Sequence, residues 1–257
     1  MQVWNNRVLA LMPHPDDMEI LCGGTLIRLA DAGVEVHVAT MTSGDMGSVE
    51  MGRAEIAAIR RAEAAAGAQA VGAASYTCLE FGDVDFVFDA DARRRVAAML
   101  RKVDAGVVIT TPPYDYMFDH IITSQLVRDA CFNAPMRNYE TPGGGSPTFG
   151  LPYLLYTDAL EGHDMFGDEC PLSFAVDVSD VLERKLAALA CHASQRDWLR
   201  RQHGMDNYIE SARRWSGIRG PLAGGSHAEA FRQHLGHPHP ADNPLSRLTG
   251  VVDILEA

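Results

Sequence analysis

The sequence predicts an α/β protein: a mostly parallel sheet with helices on both faces, followed by a mainly helical and coil C-terminal elaboration. Three observations carry this. Short apolar runs alternate with helix-patterned stretches through the first half of the chain. Glycine and proline punctuate the joints between them. Two polar motifs, "PHPDD" and "PPYDYMFDH", each follow an apolar run directly. Strands alternating with helices build right-handed βαβ units, and ligands of such sheets bind outside the carboxyl ends of the strands. Both motifs belong on that rim.

Taken in order, Arg7 to Met12 reads as a buried strand. The spacing of Ile20, Leu21, Leu26, Ile27, Leu29 and Ala30 predicts a helix from about Glu19 to Ala32, capped by Gly33. "VEVHVAT" alternates as a strand, and "MTSGDMGSVEMG" is a polar, glycine-rich loop. "RAEIAAIRRAEAAAGA" is an alanine-rich helix closing near Gly67. "YTCLEF" is a short strand, Asp91 to Val103 a helix, and "AGVVITTPP" a buried strand stopped by two prolines. A helix from about His120 to Phe132 follows. "NYETPGGGSPTFGLP" is a long loop of the kind that serves as a lid or binding loop. "YLLYTD" and "SFAVDV" are further strands, and Asp180 to Arg201 is helical, with Ser179 or Asp180 as N-cap. The last fifty residues read as polar helix and coil. No repeat or linker interrupts the chain, so residues 1–257 are expected to form one domain.

Composition excludes several classes. With 47% hydrophobic and 22% charged residues, the chain is an ordinary globular protein. A net charge of -12 disfavours nucleic acid and anionic membrane as partners. No run approaches the roughly 20 apolar residues of a membrane span, and the N-terminal stretch has no signal-peptide pattern, so a cytoplasmic location is expected. The five cysteines form no CxxC pair, which points to free thiols. A small-molecule partner is expected, with a homo-oligomer left open.

His14 and Asp17 stand three apart in a strand-to-helix turn. Imidazole nitrogen and carboxylate oxygen both suit zinc, and a catalytic zinc keeps three protein ligands. His120, on a second strand's rim, is the candidate third ligand. A metal there neutralises the crowded Asp16, Asp17 and Glu19. Asp16 is then free to act as a base toward water. The competing reading makes Asp16 and Asp17 helix-capping residues. His14, Gly23–Gly24 and the Asp119–His120 pair weigh against it.

"HPDDMEILCGGTL" resembles the opening motif of the LmbE-like, or PIG-L, family of zinc-dependent N-deacetylases. "GRAEIAAIRRAEAAAGAQAVGA" resembles the family's Arg-x-x-Glu helix, "PPYDYMFDH" its second metal motif, and "KLAALACHASQ" a later helix ending His-x-Ser-Gln. The resemblance spans most of the chain. It implies a Rossmann-like fold, zinc on His14, Asp17 and His120, Asp16 as general base, and Arg60 as a substrate contact. One departure stands out. Many relatives carry His-x-Asp-His, whose first histidine assists the oxyanion; here that position is Met117, which donates no hydrogen bond. Either Asp16 shuttles the proton alone, or Tyr114, Tyr116 or His163 replaces the missing group.

Other features stay secondary. Asp119 either orients a histidine or caps the following helix. His192 and Gln195 are expected to pack or hydrogen-bond locally rather than touch substrate. His227, His234, His237 and His239 lack an acidic or cysteine partner at ligand spacing and read as surface histidines. Neither nucleotide-binding glycine motif occurs, so the fold carries no expectation of dinucleotide binding. The expected function is zinc-dependent removal of an N-acetyl or other N-acyl group from an amino sugar or sugar conjugate. The alternatives are an amidase on a non-sugar N-acyl compound, a noncatalytic binder on a degenerate deacetylase scaffold, and a magnesium phosphohydrolase. The last is disfavoured by His14 and His120, since magnesium prefers oxygen ligands.

Overall fold

Val8 to Met12 are apolar at every position, and in strand β1 (Arg7–Met12) all five are fully buried because helices cover both faces. Val8, Ala10 and Met12 pack toward helices α1 (Asp17–Asp31), α2 (Arg53–Ala70) and α5 (Leu182–Leu189). Leu9 and Leu11 pack toward α3 (Ala90–Val103) and α4 (Phe118–Asn133). The computed structural model describes residues 4–196 and 208–254.

The sheet adds β2 (Glu35–Thr42), β3 (Ser75–Phe81), β4 (Val107–Thr110), β5 (Tyr153–Thr157), β6 (Phe174–Asp177), β7 (Ala228–Gln233) and β8 (Val251–Asp253). Its order is β3-β2-β1-β4-β5-β7-β6-β8. The first five strands pair in parallel, and the remaining pairings are antiparallel. The chain reverses its direction of winding between β1 and β4. That crevice is the topological switch point where such sheets bind ligands. The turn after β1 carries His14, and the turn after β4 leads into His120.

Four sequence expectations need correction. Gly67 does not close α2, which runs on to Ala70. A Cβ at Gly67 would collide with the Glu19 carboxylate, so the glycine admits a packed neighbour rather than ending the helix. The long loop after α4 joins that helix to the start of β5, which puts it at the amino ends of the strands. Its Ala134 carbonyl accepts from Arg101 Nε (2.9 Å) and its Phe149 N–H donates to Asp104 (2.9 Å), at the end opposite the two motifs, so it is no lid. The helix expected from Asp180 to Arg201 is shorter: α5 ends at Leu189, a turn intervenes, and helix resumes at Ala193. Neither Ser179 nor Asp180 caps α5; Val181 holds that position, and residues 197–201 lie outside the described residues.

The C-terminal segment is also more than helix and coil, because it supplies β7 and β8. In β7 the residues alternate: Ala228 and Ala230 pack with Ala175 and Ala223, while Phe231 stacks on Phe174 with ring centroids 5.4 Å apart. Glu229, buried between them in sequence, reaches α1. Its two carboxylate oxygens accept from the Gly24 and Thr25 N–H groups at 2.8 and 2.7 Å, and Lys185 Nζ lies 2.8 Å from Oε1. A Cβ on Gly24 would sit 2.7 Å from Val178 Cγ1. The second glycine of "CGG" is therefore required by close packing of α1 on the edge of β6.

Candidate active site

Pro13 ends β1, and the chain turns through His14, Pro15 and Asp16 into α1. Asp16 adopts φ 94°, a left-handed conformation that is costly for a residue with a side chain and that clusters at functional sites. It occupies the N-cap position, yet its side chain makes no cap hydrogen bond. Asp17 Oδ2 accepts from the backbone N–H of His14 at 2.9 Å. The helix-capping reading of the Asp pair is thereby set aside; the two carboxylates are held for another purpose.

His14 Nδ1 lies 3.2 Å from Asp17 Oδ2, and His120 Nε2 lies 3.6 Å from Asp17 Oδ1. One ligand atom from each of these three residues falls within 4.8 Å of the others. The far nitrogen of each ring is engaged by carboxylates. His14 Nε2 stands 3.2 Å from Asp119 Oδ2 and 3.1 Å from Asp83 Oδ1, and His120 Nδ1 stands 3.1 Å from Asp115 Oδ2. Asp119 thus orients a histidine; the N-cap of α4 is Met117. Asp83 and Asp115 escaped the sequence reading. Asp115 lay inside the quoted motif, and Asp83 in a loop with no spacing signal at all.

Charge tells the same story. Burial opposes a charged His14, but the acceptors Asp119, Asp17 and Asp83 outweigh it and hold its pKa well above the ordinary histidine value. Burial likewise opposes a charged His120, and the Asp17 charge and the Asp115 bond overcome it. Burial alone would raise Asp17; the charge of His120 and the bond from His14 pull it below the ordinary carboxylate range. A buried nest of carboxylates around two imidazoles therefore draws positive charge. A divalent cation fits it: His14, Asp17 and His120 each bring a ligand atom within 4.8 Å of the others, and His14, Asp83 and Asp119 do the same on the other side of the ring. Only the first group has two imidazoles with a carboxylate, and the carboxylates behind its rings can fix the tautomers, as is usual for metal-bound histidine.

Asp16 is set apart from this group. Its Oδ2 accepts from Tyr208 Oη at 2.8 Å and lies 3.4 Å from Arg60 Nη2. Burial raises its pKa, against the opposing charges of Arg60 and His192 and the Tyr208 bond. Tyr208 comes from α6 (Tyr208–Arg219), is 4% exposed, and packs with Leu182, Leu186 and Leu189 of α5. Sequence reasoning could not find it, because 192 positions separate it from Asp16. Arg60 does border the cleft; its Nη1 bonds Gly44 O (3.1 Å) and its Nη2 bonds Pro15 O (2.8 Å), while its buried Nε has no partner among the described residues.

These residues line one side of a cleft of about 520 Å³. Ile20, Leu21, Met46, Val84, Tyr116, Met117, Leu160 and Trp215 supply its apolar lining, and Gln195 borders it while donating to Gly47 O at 3.2 Å. Of the three expected substitute donors, Tyr116 borders the cleft, its ring edge-on to His120 with centroids 5.5 Å apart. Tyr114 is exposed and outside the cleft lining, and His163 Nδ1 is bonded to Glu161 O (3.0 Å), also away from it. His192 is buried with its Nε2 2.9 Å from Glu19 of α1, a partner 173 positions away rather than a local one, and it lies outside the cleft lining, whereas Gln195 borders the cleft. His234 and His239 contact each other at 4.7 Å between centroids and belong to no ligand-spaced group among the described residues.

Comparison with known proteins follows the same lines. Residues 9–131 match the family model described as PIG-L: GlcNAc-PI de-N-acetylase. A diacetylchitobiose deacetylase of Thermococcus kodakarensis is 30% identical over 201 residues, covering 74% of this chain and 70% of that protein. The chain belongs to the PIG-L (LmbE-like) family. A 4-oxalmesaconate hydratase of Pseudomonas putida is also similar, 28% identical over 195 residues, 73% of each chain. Among solved structures, the N,N'-diacetylchitobiose deacetylase of Pyrococcus horikoshii superposes with a TM-score of 0.75 at 27% identity, covering 91% of this chain and 87% of that one. The mixed α/β sheet flanked by helices is thus the PIG-L fold. Among the described residues no helix is long and apolar enough to cross a membrane.

Proposed function

We propose that this PIG-L protein is a zinc-dependent deacetylase that hydrolyses the N-acyl amide of an amino sugar or a small sugar conjugate. The observation that carries the reading is the convergence of His14 Nδ1, Asp17 and His120 Nε2 beside a separately tethered Asp16. When bound, the ion supplies Lewis-acid polarisation of the acyl carbonyl and acidifies a water at the site. Asp16 Oδ2 is held by Tyr208 and Arg60, so Oδ1 is the oxygen that takes the proton of the attacking water and returns it to the departing amine. Met117 offers no hydrogen bond to the oxyanion; Tyr116, at the cleft, is the substitute donor.

A second reading, water addition to an activated double bond, is favoured by the hydratase relative alone. The same base serves both reactions. Amine release from a panel of N-acetylated amino sugars, run beside unsaturated carboxylic acids, separates them. Asp16→Asn should keep its zinc on elemental analysis and lose on the order of 100- to 10,000-fold in amine release. Retention of activity within a few-fold would remove Asp16 from the base role, and loss of zinc would move it into the ligand set.

A further inference from the structure

Many of the polar groups of the cleft are already committed to one another. His14 and His120 are taken by carboxylates, Asp16 by Tyr208 and Arg60, the Arg60 Nη atoms by backbone carbonyls, and the Gln195 amide N–H by Gly47. Arg60 Nε and the Trp215 indole N–H, both buried without a partner among the described residues, and the Tyr116 hydroxyl are left to meet a sugar, a short list for a row of hydroxyls that each need a partner once buried. The apolar lining, by contrast, is spent only in part: Ile20 packs against the cluster of Leu182, Leu186, Leu189 and Tyr208 and still stays half-buried. Ile20 and Leu21 follow Asp17 by three and four positions on α1, so they share its helix face about one turn, or 5.4 Å, along the axis. Leu160, from the turn after β5, and Trp215, from α6, complete a wall with them, and all four are only half-buried. The indole N–H of Trp215 is buried without an acceptor among the described residues.

We infer that the substrate carries an apolar substituent, an alkyl chain or aryl ring, that lies against Ile20, Leu21, Leu160 and Trp215 one helical turn from the metal-side residues. The inference rests on the deacetylase reading for the position of the reacting amide, and it deepens that reading by naming the substrate class. The cleft has the size of pockets that hold drug-sized ligands, about 300–1,000 Å³. The substituent hangs either from the acyl carbonyl or from the far side of the sugar.

Two compound series distinguish these: glucosamine N-acylated with chains from acetyl to octanoyl, and N-acetylglucosaminides bearing methyl to octyl aglycones. Amine release is measured on the zinc-loaded enzyme, and binding of both series by calorimetry on metal-free protein. The expected result is a rise in kcat/KM of up to about fourfold per methylene in one series, levelling once the wall is covered, with a parallel rise in binding. The series that rises names the side. Leu160→Ser, with folding checked by circular dichroism, should flatten the slope; Trp215→Leu, which keeps the wall apolar, should preserve it for alkyl chains. Chain-dependent binding without amine release from any compound would end the deacetylase reading and leave the apolar subsite standing. Flat or falling responses in both series, or a wild-type slope in Leu160→Ser, overturn the subsite.

Discussion

Replacing Tyr208 by phenylalanine deletes one oxygen and leaves the ring that packs on Leu182, Leu186 and Leu189. The lost oxygen donates to Asp16 Oδ2 at 2.8 Å, leaving Arg60 Nη2 at 3.4 Å as the remaining contact on that atom among the described residues. A hydrogen bond to a charged group is worth about 1.5–3 kcal/mol. If all of it serves to hold the carboxylate in its working orientation, kcat falls by on the order of 10- to 150-fold at 1.36 kcal/mol per factor of ten. KM should move little, because the hydroxyl touches the base and not the substrate. The assay is amine release by wild type and Tyr208→Phe at matched zinc content, with thermal unfolding as a check that α6 stays docked. A kcat within twofold of wild type, or a loss confined to KM, would refute the assignment of Tyr208 as the residue that positions Asp16.

Three further outcomes are expected. Asp115→Ala removes the carboxylate behind His120 and should weaken metal affinity by about 10- to 100-fold, read by competition with a chelating dye; unchanged affinity would leave Asp115 with no part in orienting the ring. Gly24→Ala brings a methyl 2.7 Å from Val178 Cγ1 and 2.8 Å from Val178 Cβ and should cost about 1–3 kcal/mol in urea unfolding, part of it recovered in a Val178→Gly background, which removes both atoms; equal costs in both backgrounds would dismiss the clash. Lys185→Met strands the buried Glu229 charge and should destabilise by about 3–5 kcal/mol, whereas the double change Lys185→Met with Glu229→Gln should be milder; a milder single variant would mean that Gly24 and Thr25 suffice to hold Glu229.

Local sequence determined the parallel half of the sheet and the core of the site. β1 and β4 follow from apolar runs, because burial on both faces leaves a strand no alternative to continuous apolar residues, and the helices follow from helical spacing; β3, half-exposed at the edge of the sheet, is a short run with no such constraint. His14, Asp16 and Asp17 are legible for the same reason: they stand within four positions in one turn, and a crowd of like charges asks for a cation. His120 is legible because a second motif ends a second strand on the same rim. Tertiary structure alone decided the rest. Asp83 and Tyr208 reach the site from loops and helices far along the chain, and side-chain chemistry gives no hint of which distant partner a lone aspartate or tyrosine will meet. β7 carries alanines, a glutamate and a glutamine, a composition that favours helix; it is a strand because β5 and β6 leave an open edge between them whose backbone groups must be paired, and pairing between strands remote in sequence outweighs local propensity.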